Sequence, residues 1–423
     1  MLSKLIARSE AFLKGMMFDC RACGQCVLSQ TGLICPMSCP KGLRNGPCGG
    51  TLEGECEVYP DRECVWVRIH RRTGKDSFTL PDLIPSPDPS LSFTSSYLNL
   101  LSGKDKPGRE PMPYLELGTH RVRLPVQTAS GFEAKLRSGQ FVKTCEIRSP
   151  RGPDLSHFRE EACIIRDRFD AVNATAYLNA KPSLPSPVAA AELAKLGMEP
   201  ISQATCRDHT KTSFVSELIQ NEMNGVHNML CLTGDSYSSK PKIKQVFDMD
   251  STLMLYEARH LREEGSIHFL QETVLQTPKI FLGAAINPFT QPANVPIRRL
   301  KQKAAAGADF IQTQAILDVT GFESFMQRVT EEGLDQELFI LAGIPVVIAA
   351  GALDMLPRIP GIRIPPEIRQ RLEQAENLKR EGVILAREMV RRVRAIPGIA
   401  GVHLMLFGSD HRALLDVIEE LED

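Results

Sequence analysis

Apolar residues follow two different spacings along this chain, and the pattern becomes regular near residue 126. From there on, short apolar runs alternate with segments in which apolar positions recur every three or four residues. Such a run between turn residues predicts a buried strand, and the longer spacing predicts an amphipathic helix. The strand-like runs are FVKTCEI (141–147), DAVNAT (170–175), EPISQAT (199–205), NMLCLTG (228–234), KIFLGAAI (279–286), DFIQTQAI (309–316), LFILAGIPVV (338–347) and GVHLMLFG (401–408).

Eight strand-like runs, each followed by a helical segment, predict an α/β fold with parallel strands covered by helices. The number and size of these units match a (β/α)8 TIM barrel over residues 126–423. A doubly wound sheet is the alternative, but the absence of a Gly-rich phosphate-binding fingerprint favours the barrel.

Chemistry in a TIM barrel takes place at the C-terminal ends of the strands. The residues at those predicted ends are Glu146, Thr175, Gln203, Thr205, Asp235, Asn287, Gln314, Gly343 and Phe407. Carboxylates, amides and hydroxyls dominate this set, and it contains no His, Cys or Lys. It is poor for nucleophilic catalysis and better suited to hydrogen bonding a heterocycle, with one carboxyl as proton donor.

The first 125 residues divide into two further regions. Residues 1–75 are rich in Cys and Gly and show little regular periodicity. Residues 76–125 contain the proline-rich stretches PDLIPSPDPS and KDKPGREPMP, which predict a linker or wrapping arm with one short helix around 95–101. The predicted organisation is therefore a small cysteine-rich metal-binding domain, an arm and a barrel.

Eight of the twelve cysteines lie in the first region. They begin with a C-x2-C-x2-C triplet, and two of the others precede proline, a pattern that is typical of iron–sulfur ligation. We predict two four-cysteine [4Fe–4S] sites, with two structural zinc sites as the alternative; the spacing leaves open which four share a site. The predicted ligands are Cys20, Cys23, Cys26, Cys35, Cys39, Cys48, Cys56 and Cys64.

Charge and hydropathy exclude several classes of protein. Fifty Lys and Arg residues balance 51 Asp and Glu residues, so nothing favours nucleic acid or an anionic membrane as a partner. The longest uncharged apolar run, 339–353, is shorter than a membrane span, and the N-terminus lacks the apolar core of a secretory signal. We therefore expect a cytoplasmic protein, in which clustered cysteines bind metal rather than form disulfides.

Several ordered motifs resemble the methylenetetrahydrofolate reductases, particularly the short form of anaerobic, one-carbon-fixing bacteria. They are KTCEIRSPRG at the first strand, CLTGD at the fourth, KAAAGADFIQTQAILD at the sixth, and the closing PGIRIP and GVHLM segments. The N-terminal CRACGQCVLSQTG…CPMSCPKGLRNGPCGG resembles the cysteine-rich partner subunit of the acetogen-type reductase. The resemblance implies a fusion of the two, partner first.

The resemblance also implies an activity and a site. A flavin in the barrel would deliver hydride to 5,10-methylenetetrahydrofolate, giving 5-methyltetrahydrofolate for carbon fixation or methionine synthesis. Glu146 would be the general acid that protonates N10, and Asp235 and Gln314 would contact the folate. The residues implied to line the flavin site are Thr175, Gln203, Asp235 and Lys303.

Three positions depart from the family pattern. Gln203 and Thr233 stand where a His and an Arg contact the flavin in well-known members, and Pro296 stands where an Asp is usual. Because the missing residues help to hold the larger dinucleotide, FMN and FAD both remain open. The N-terminal clusters would relay electrons from ferredoxin, NAD(P)H or a redox partner subunit, and we expect an oligomer or a subunit of a complex.

Simpler interpretations stand beside these. Glu146 could pair with a barrel cation, Asp235 could cap a helix, Gln314 could bond internally, and Lys303 could be a solvated helix residue. Two other functions are also open: an electron-transfer or scaffold subunit, and a pterin-binding methyltransferase barrel with structural zinc.

Overall fold

The computed structural model describes residues 2–51, 53–73, 84–105, 128–177, 181–236, 243–359 and 361–421. Eight parallel strands close into a barrel in the order β1-β10-β9-β8-β7-β4-β3-β2. The barrel strands are β1 (Val142–Ile147), β2 (Ala171–Ala174), β3 (Pro200–Thr205), β4 (Asn228–Leu232), β7 (Phe281–Ile286), β8 (Phe310–Thr313), β9 (Phe339–Val347) and β10 (Ile399–Phe407). The TIM barrel prediction is therefore confirmed: seven of the predicted runs contain a barrel strand, and the eighth overlaps β10, which begins two residues before it.

Helices surround the barrel, and a two-stranded sheet, β5 (Ser266–Ile267) with β6 (Glu272–Thr273), adds a hairpin that the sequence pattern did not predict. The helices are α4 (Gly131–Arg137), α5 (Ser156–Ile165), α6 (Ser186–Lys195), α7 (Lys211–Met223), α8 (Ser251–Glu264), α9 (Asn294–Ala306), α10 (Val319–Glu331), α11 (Ala350–Met355), α12 (Pro366–Glu373), α13 (Leu378–Arg394) and α14 (Arg412–Ile418). Every residue of β9 is buried, as expected for a strand with a filled lumen on one side and helices on the other.

Aromatic side chains close the N-terminal end of the barrel. Phe132 from α4 is fully buried and meets Phe281 and Phe310 edge-on, with ring centroids 5.9 and 5.3 Å apart. Phe339 packs on the same cluster. Edge-to-face packing of large rings fills this end of the lumen, so that space for a ligand lies at the opposite end, where the strands terminate.

The cysteine-rich region contains more regular structure than its sequence pattern predicts. Helix α1 covers Leu2–Phe18, and Glu10 pairs with Lys14 one turn later at 2.5 Å. Helix α2 (Val65–Thr73) buries Trp66 and its apolar neighbours in a small core of its own. The i,i+4 pairing and this local core stabilise helices in a region whose sequence shows little regular periodicity.

Residues 84–105 pack against the cysteine-rich region. Asn45 exchanges two hydrogen bonds with the backbone of Ile84, and Asn99 donates to the carbonyl of Gly24 at 2.9 Å. Helix α3 (Ser96–Leu101) occupies the place where a short helix was predicted, and most of the KDKPGREPMP stretch lies outside the described residues. In the described part of the chain, no helix has both the length and the apolar character needed to cross a membrane.

Candidate active site

A cavity opens at the C-terminal end of the barrel. Four of the residues predicted from the sequence line it together, namely Glu146, Gln203, Asp235 and Gln314. Thr205 and Asn287, two further strand-end residues, lie in the same wall. Parallel strands bring residues that are far apart in sequence to one edge, and here that edge is rich in amide and carboxyl groups.

Glu146 comes from β1 and lies on the lumen side of the barrel. Successive strand residues point to opposite faces, so Glu146 shares its face with Thr144, whose hydroxyl bonds His403 inside the barrel. Burial raises the pKa of the Glu146 carboxyl above its ordinary value, and the nearby Arg148 opposes that shift only in part. A carboxyl in this environment holds its proton more readily than an exposed one and can serve as an acid.

Asp235 lies in the loop that follows β4, and its side chain reaches the cavity from the rim. Arg207 donates to the Asp235 backbone carbonyl at 3.2 Å. The next described helix, α8, is capped by Asp250, whose carboxylate accepts from the N–H groups of Thr252 and Leu253. Asp235 is therefore not the cap of α8, and its carboxylate remains available at the mouth.

The side-chain oxygen of each glutamine accepts a hydrogen bond from a backbone N–H group. The side-chain oxygen of Gln314, directly after β8, accepts from the Ala315 N–H at 3.0 Å. The side-chain oxygen of Gln203 on β3 accepts from the Ala176 N–H at 3.2 Å. Both contacts fix the oxygen of the amide, so each side chain meets the cavity in a defined orientation.

Thr175 and Lys303 lie apart from this cavity. The Thr175 hydroxyl accepts from the Ser149 N–H at 3.2 Å. Lys303 is buried on α9 and donates to the Ala285 carbonyl at 2.6 Å, so it is not a solvated helix residue. Burial, reinforced by Arg299, lowers the pKa of Lys303 to about 7. The predicted contact of these two residues with flavin gains no support from the cavity, because both side chains are used in packing the barrel wall.

The strand-end rule missed His403, which also lines the cavity. His403 sits in the middle of β10, so it reaches the lumen from below the rim. Its Nδ1 lies 2.9 Å from the Thr144 hydroxyl, and burial lowers its pKa to about 3, so that the imidazole is neutral. The signal was its inward-facing place in GVHLMLFG, two residues before Met405, which shares the cavity wall.

The cysteine-rich region forms part of the same cavity, a contact that no local sequence pattern predicts. Lys41, Cys48 and Glu57 line it beside the barrel residues, and Asn287 donates to the Gly49 carbonyl at 2.8 Å. Lys41 and Glu57 form an ion pair with side chains only 3% and 6% exposed. Burial opposes the charge of Lys41, but neighbouring Cys48 and Glu57 raise its pKa above the ordinary value.

The first four cysteines line a separate, small cavity under α1. The thiols of Cys20 and Cys35 are hydrogen-bonded, which lowers the pKa of Cys20 to about 6. Lys14 also lines this cavity and carries the positive charge that faces the thiols. This group comprises Cys20, Cys23, Cys26 and Cys35.

The other four cysteines lie together nearer the barrel. An antiparallel bridge between Glu55 and Glu63 joins the two segments that carry Cys56 and Cys64, and these two cysteines interact electrostatically. Cys39 interacts electrostatically with both, and Cys48 with Cys39 and Cys64. Within the described residues, no set of three or more His, Cys, Asp or Glu side chains already stands in metal-binding geometry. The eight predicted metal ligands lie in two groups of four, the first under α1 and the second nearer the barrel.

The chain is similar to known protein families over most of its length. The family model "Methylenetetrahydrofolate reductase" matches residues 132–422, and "Methylene-tetrahydrofolate reductase C terminal" matches residues 2–81. A probable methylenetetrahydrofolate reductase (NADPH) of Caenorhabditis elegans is 25% identical over 52% of this chain. Methylenetetrahydrofolate reductase 1 of Schizosaccharomyces pombe is 26% identical over 51% of it. The matches span only 32% and 35% of those two relatives.

Among solved structures, one similar fold belongs to an uncharacterized Clostridium thermocellum protein that binds two copies of 5-methyl-5,6,7,8-tetrahydrofolic acid. The TM-score is 0.50 at 14% identity, and the match covers 68% of this chain and 97% of that protein. At this identity the likeness concerns the fold alone.

Proposed function

The chain belongs to the methylenetetrahydrofolate reductase family, and from that premise we propose that it reduces 5,10-methylenetetrahydrofolate to 5-methyltetrahydrofolate. The observation that carries the proposal is the shared cavity, which brings Glu146, Asp235 and Gln314 from three different strands to one mouth. The enzyme is accordingly an oxidoreductase of folate one-carbon metabolism.

The cavity suits a flavin and a pterin in its chemistry. Its wall includes the side-chain amides of Gln203 and Gln314 and the carboxyls of Glu146 and Asp235, groups that hydrogen-bond the donors and acceptors of such heterocycles. The side-chain amides of Gln312 and Asn287 are bonded within the protein, to Asn173 and to the backbone of Gly49 and Phe289. A flavin bound here would supply the hydride for the methylene carbon.

Glu146 performs the proton transfer in this proposal. Its protonated carboxyl gives a proton to N10 of the substrate, the bond from N10 to the methylene carbon breaks, and the methylene remains on N5 as an electrophilic iminium. The raised pKa keeps the proton on Glu146 until the substrate nitrogen takes it. Glu146 is left as a carboxylate and must be reprotonated before the next turnover.

Asp235 and Gln314 orient the substrate. The Asp235 carboxylate at the rim accepts from the N–H groups of the pterin, and the Gln314 side chain, whose oxygen binds the Ala315 N–H, contacts the same ring. Hydrogen bonds in such a partly closed cavity hold the methylene carbon in line for attack. Gln203, on the adjacent wall, contacts the flavin in this proposal. Analysis of the flavin released from the purified protein will identify it as FMN or FAD.

The two cysteine groups support two metal sites rather than one. We assign Cys20, Cys23, Cys26 and Cys35 to the first site, because they share a cavity. Cys39, Cys48, Cys56 and Cys64 belong to the second, because they interact with one another. Four thiolates suit either a [4Fe–4S] cluster or zinc, and metal binding would draw the thiols into ligand geometry. The second site adjoins the barrel cavity through Cys48, so iron–sulfur clusters here would connect an outside electron donor with the flavin.

Replacing one cysteine in each group separates the two sites. Cys23→Ser and Cys64→Ser should each lose roughly half of the bound metal, and the double variant should lose all of it. The measurement is elemental analysis of anaerobically purified protein, with electron paramagnetic resonance of the reduced samples. Cys163→Ser, an exposed cysteine outside both groups, is the control and should retain the full content. If Cys23→Ser and Cys64→Ser abolish the same signal, the assignment is wrong.

The proposed function is tested with the full chain purified without oxygen. Reduced flavin in the protein should be reoxidised by 5,10-methylenetetrahydrofolate, and 5-methyltetrahydrofolate should bleach the oxidised flavin in the reverse direction. Protein that contains iron but no flavin and no folate activity would be an electron-transfer or scaffold subunit. Colourless protein with zinc that transfers a methyl group without a redox step would be a methyltransferase.

The wider setting of the enzyme follows from its cofactors. We propose that an electron donor, namely ferredoxin, NAD(P)H or a redox partner subunit, docks at the cysteine-rich region. We also propose that this chain is an oligomer or a subunit of a complex. Twelve free cysteines are compatible with the reducing cytoplasm.

A further inference from the structure

The loop that carries Asp235 is held by the cysteine-rich region. The Lys41 ammonium donates to the Gly234 carbonyl at 2.8 Å, one residue before Asp235. The Ser236 N–H donates to the Glu57 carboxylate at 3.3 Å, one residue after it. The two peptide groups that flank Asp235 are therefore hydrogen-bonded to the two members of a single ion pair, one to Lys41 and the other to Glu57.

The barrel also holds this loop. Arg207 donates to the Asp235 carbonyl at 3.2 Å and is itself paired with Asp208. The preceding Gly234 has a φ of +82°, and a Cβ there would approach Arg207 to 3.0 Å and Thr205 to 3.2 Å. Gly234 thus packs closely against the β3 end, and the loop has little freedom once Lys41 and Glu57 are also in place.

The Lys41–Glu57 pair is too buried for an ordinary surface ion pair. Taking both charges out of water costs more than their attraction returns unless further hydrogen bonds satisfy them. Those further bonds go to the Asp235 loop, and the Cys48 thiol adds a 3.9 Å contact to Glu57. A buried pair of this kind contributes little to net stability but specifies one arrangement of the groups that it binds.

We infer that Lys41 and Glu57 are positioning residues, through which the cysteine-rich region sets the orientation of Asp235 and hence the folate affinity of the barrel. The inference rests on the proposed function for the identity of the ligand. Lys41 follows Cys39 by two residues and Glu57 follows Cys56 directly, so the pair also connects the second cysteine group with the folate site.

Removal of the Lys41 charge tests the inference. Lys41→Met keeps the length of the side chain but leaves the Gly234 carbonyl and Glu57 without their partner. We expect the Kd for 5-methyltetrahydrofolate, measured by calorimetry, to rise about tenfold or more, the equivalent of one charge-assisted hydrogen bond. Hydrogen–deuterium exchange of the backbone around 233–236 should become faster in the same variant, because the loop has lost one of its anchors.

Two further variants separate charge from shape. Lys41→Arg retains the positive charge and should bind 5-methyltetrahydrofolate within about threefold of the native chain. Arg71→Met removes an exposed pair with Glu63 in the same region, whose side chains are 69% and 34% exposed, and should change neither measurement. An Lys41→Arg variant that is as impaired as Lys41→Met would overturn the inference, since shape alone would then explain the loss.

The two measurements also distinguish this inference from the proposed function. A native chain that does not bind 5-methyltetrahydrofolate contradicts the proposed function. In that case the hydrogen–deuterium exchange rate at 233–236, compared between the native chain and Lys41→Met, still tests whether Lys41 positions the loop. Unchanged exchange and unchanged affinity in Lys41→Met overturn the inference while leaving the function intact. If Lys41→Met does not fold, Glu57→Gln, which weakens the pair without removing its hydrogen-bonding atoms, gives the same two readouts.

Discussion

Glu146→Gln should lower the rate of folate reduction by a factor of about 10²–10⁴, the usual contribution of a positioned general acid. Reduction of the flavin by an artificial donor should remain at the native rate, because that half-reaction needs no proton on N10. Glutamine has the size of glutamate and hydrogen-bonds similarly, but it has no acidic proton to give. Stopped-flow absorbance of the flavin measures the two half-reactions separately.

The pH profile of the native enzyme gives the sign of this effect. Because burial raises the pKa of Glu146, the carboxyl remains protonated at pH values where an exposed glutamate is ionised. Folate reduction should therefore fall as the pH rises through that raised pKa, and the residual rate of Glu146→Gln should lack this fall. Glu160→Gln, on an exposed position of α5, is the control and should behave as the native enzyme. Equal loss of both half-reactions in Glu146→Gln would assign Glu146 a structural role.

Gly382→Ala should destabilise the barrel by about 1–3 kcal/mol, the range found for overpacked interiors. A Cβ on this helical glycine would overlap the carbonyl oxygen of Val347, the last residue of β9. Backbone cannot give way as a flexible side chain can, so α13 would have to move away from the strand. Chemical denaturation followed by circular dichroism measures the change in the free energy of unfolding.

Gly351→Ala is the matched control for this prediction. Gly351 is also helical, in α11, but a Cβ there meets no atom within 4 Å. Alanine loses less conformational entropy on folding than glycine, so this variant should be stabilised by up to about 1 kcal/mol. If both variants change the free energy of unfolding in the same direction and by a similar amount, the close approach of α13 to β9 does not affect stability.

The barrel was predictable from the sequence because each strand has its own local signal, a short apolar run of strand length. A run such as FILAGIPVV is apolar throughout since both faces of β9 are buried, and its length marks it as a strand. The same local logic placed Glu146 and Gln314 at strand ends, and the structure brings both to one cavity. Where the logic was too coarse, as for His403 in the middle of a long strand, the residue was missed.

The contribution of the cysteine-rich region to the cavity could not be predicted in this way. Lys41 and Glu57 are unremarkable charged residues in their local sequence, and only their contacts with 234 and 236 give them a role. Lys303 shows the opposite case, since a lysine on a helix predicts a solvated side chain but α9 turns it toward the barrel. Side-chain environments created by contacts between distant segments leave no periodic trace in the sequence.

The anchoring of Asn45 has a consequence for the order in which the newly made chain acquires its structure. Asn45 accepts from Arg299 and donates to Asp250, residues that follow it by 254 and 205 positions. A ribosome releases the N-terminal end first, so this stretch must wait, with its thiols accessible, until α8 and α9 have emerged. The stretch around Asn45 is thus synthesised before α8 and α9 but reaches its final place only after them.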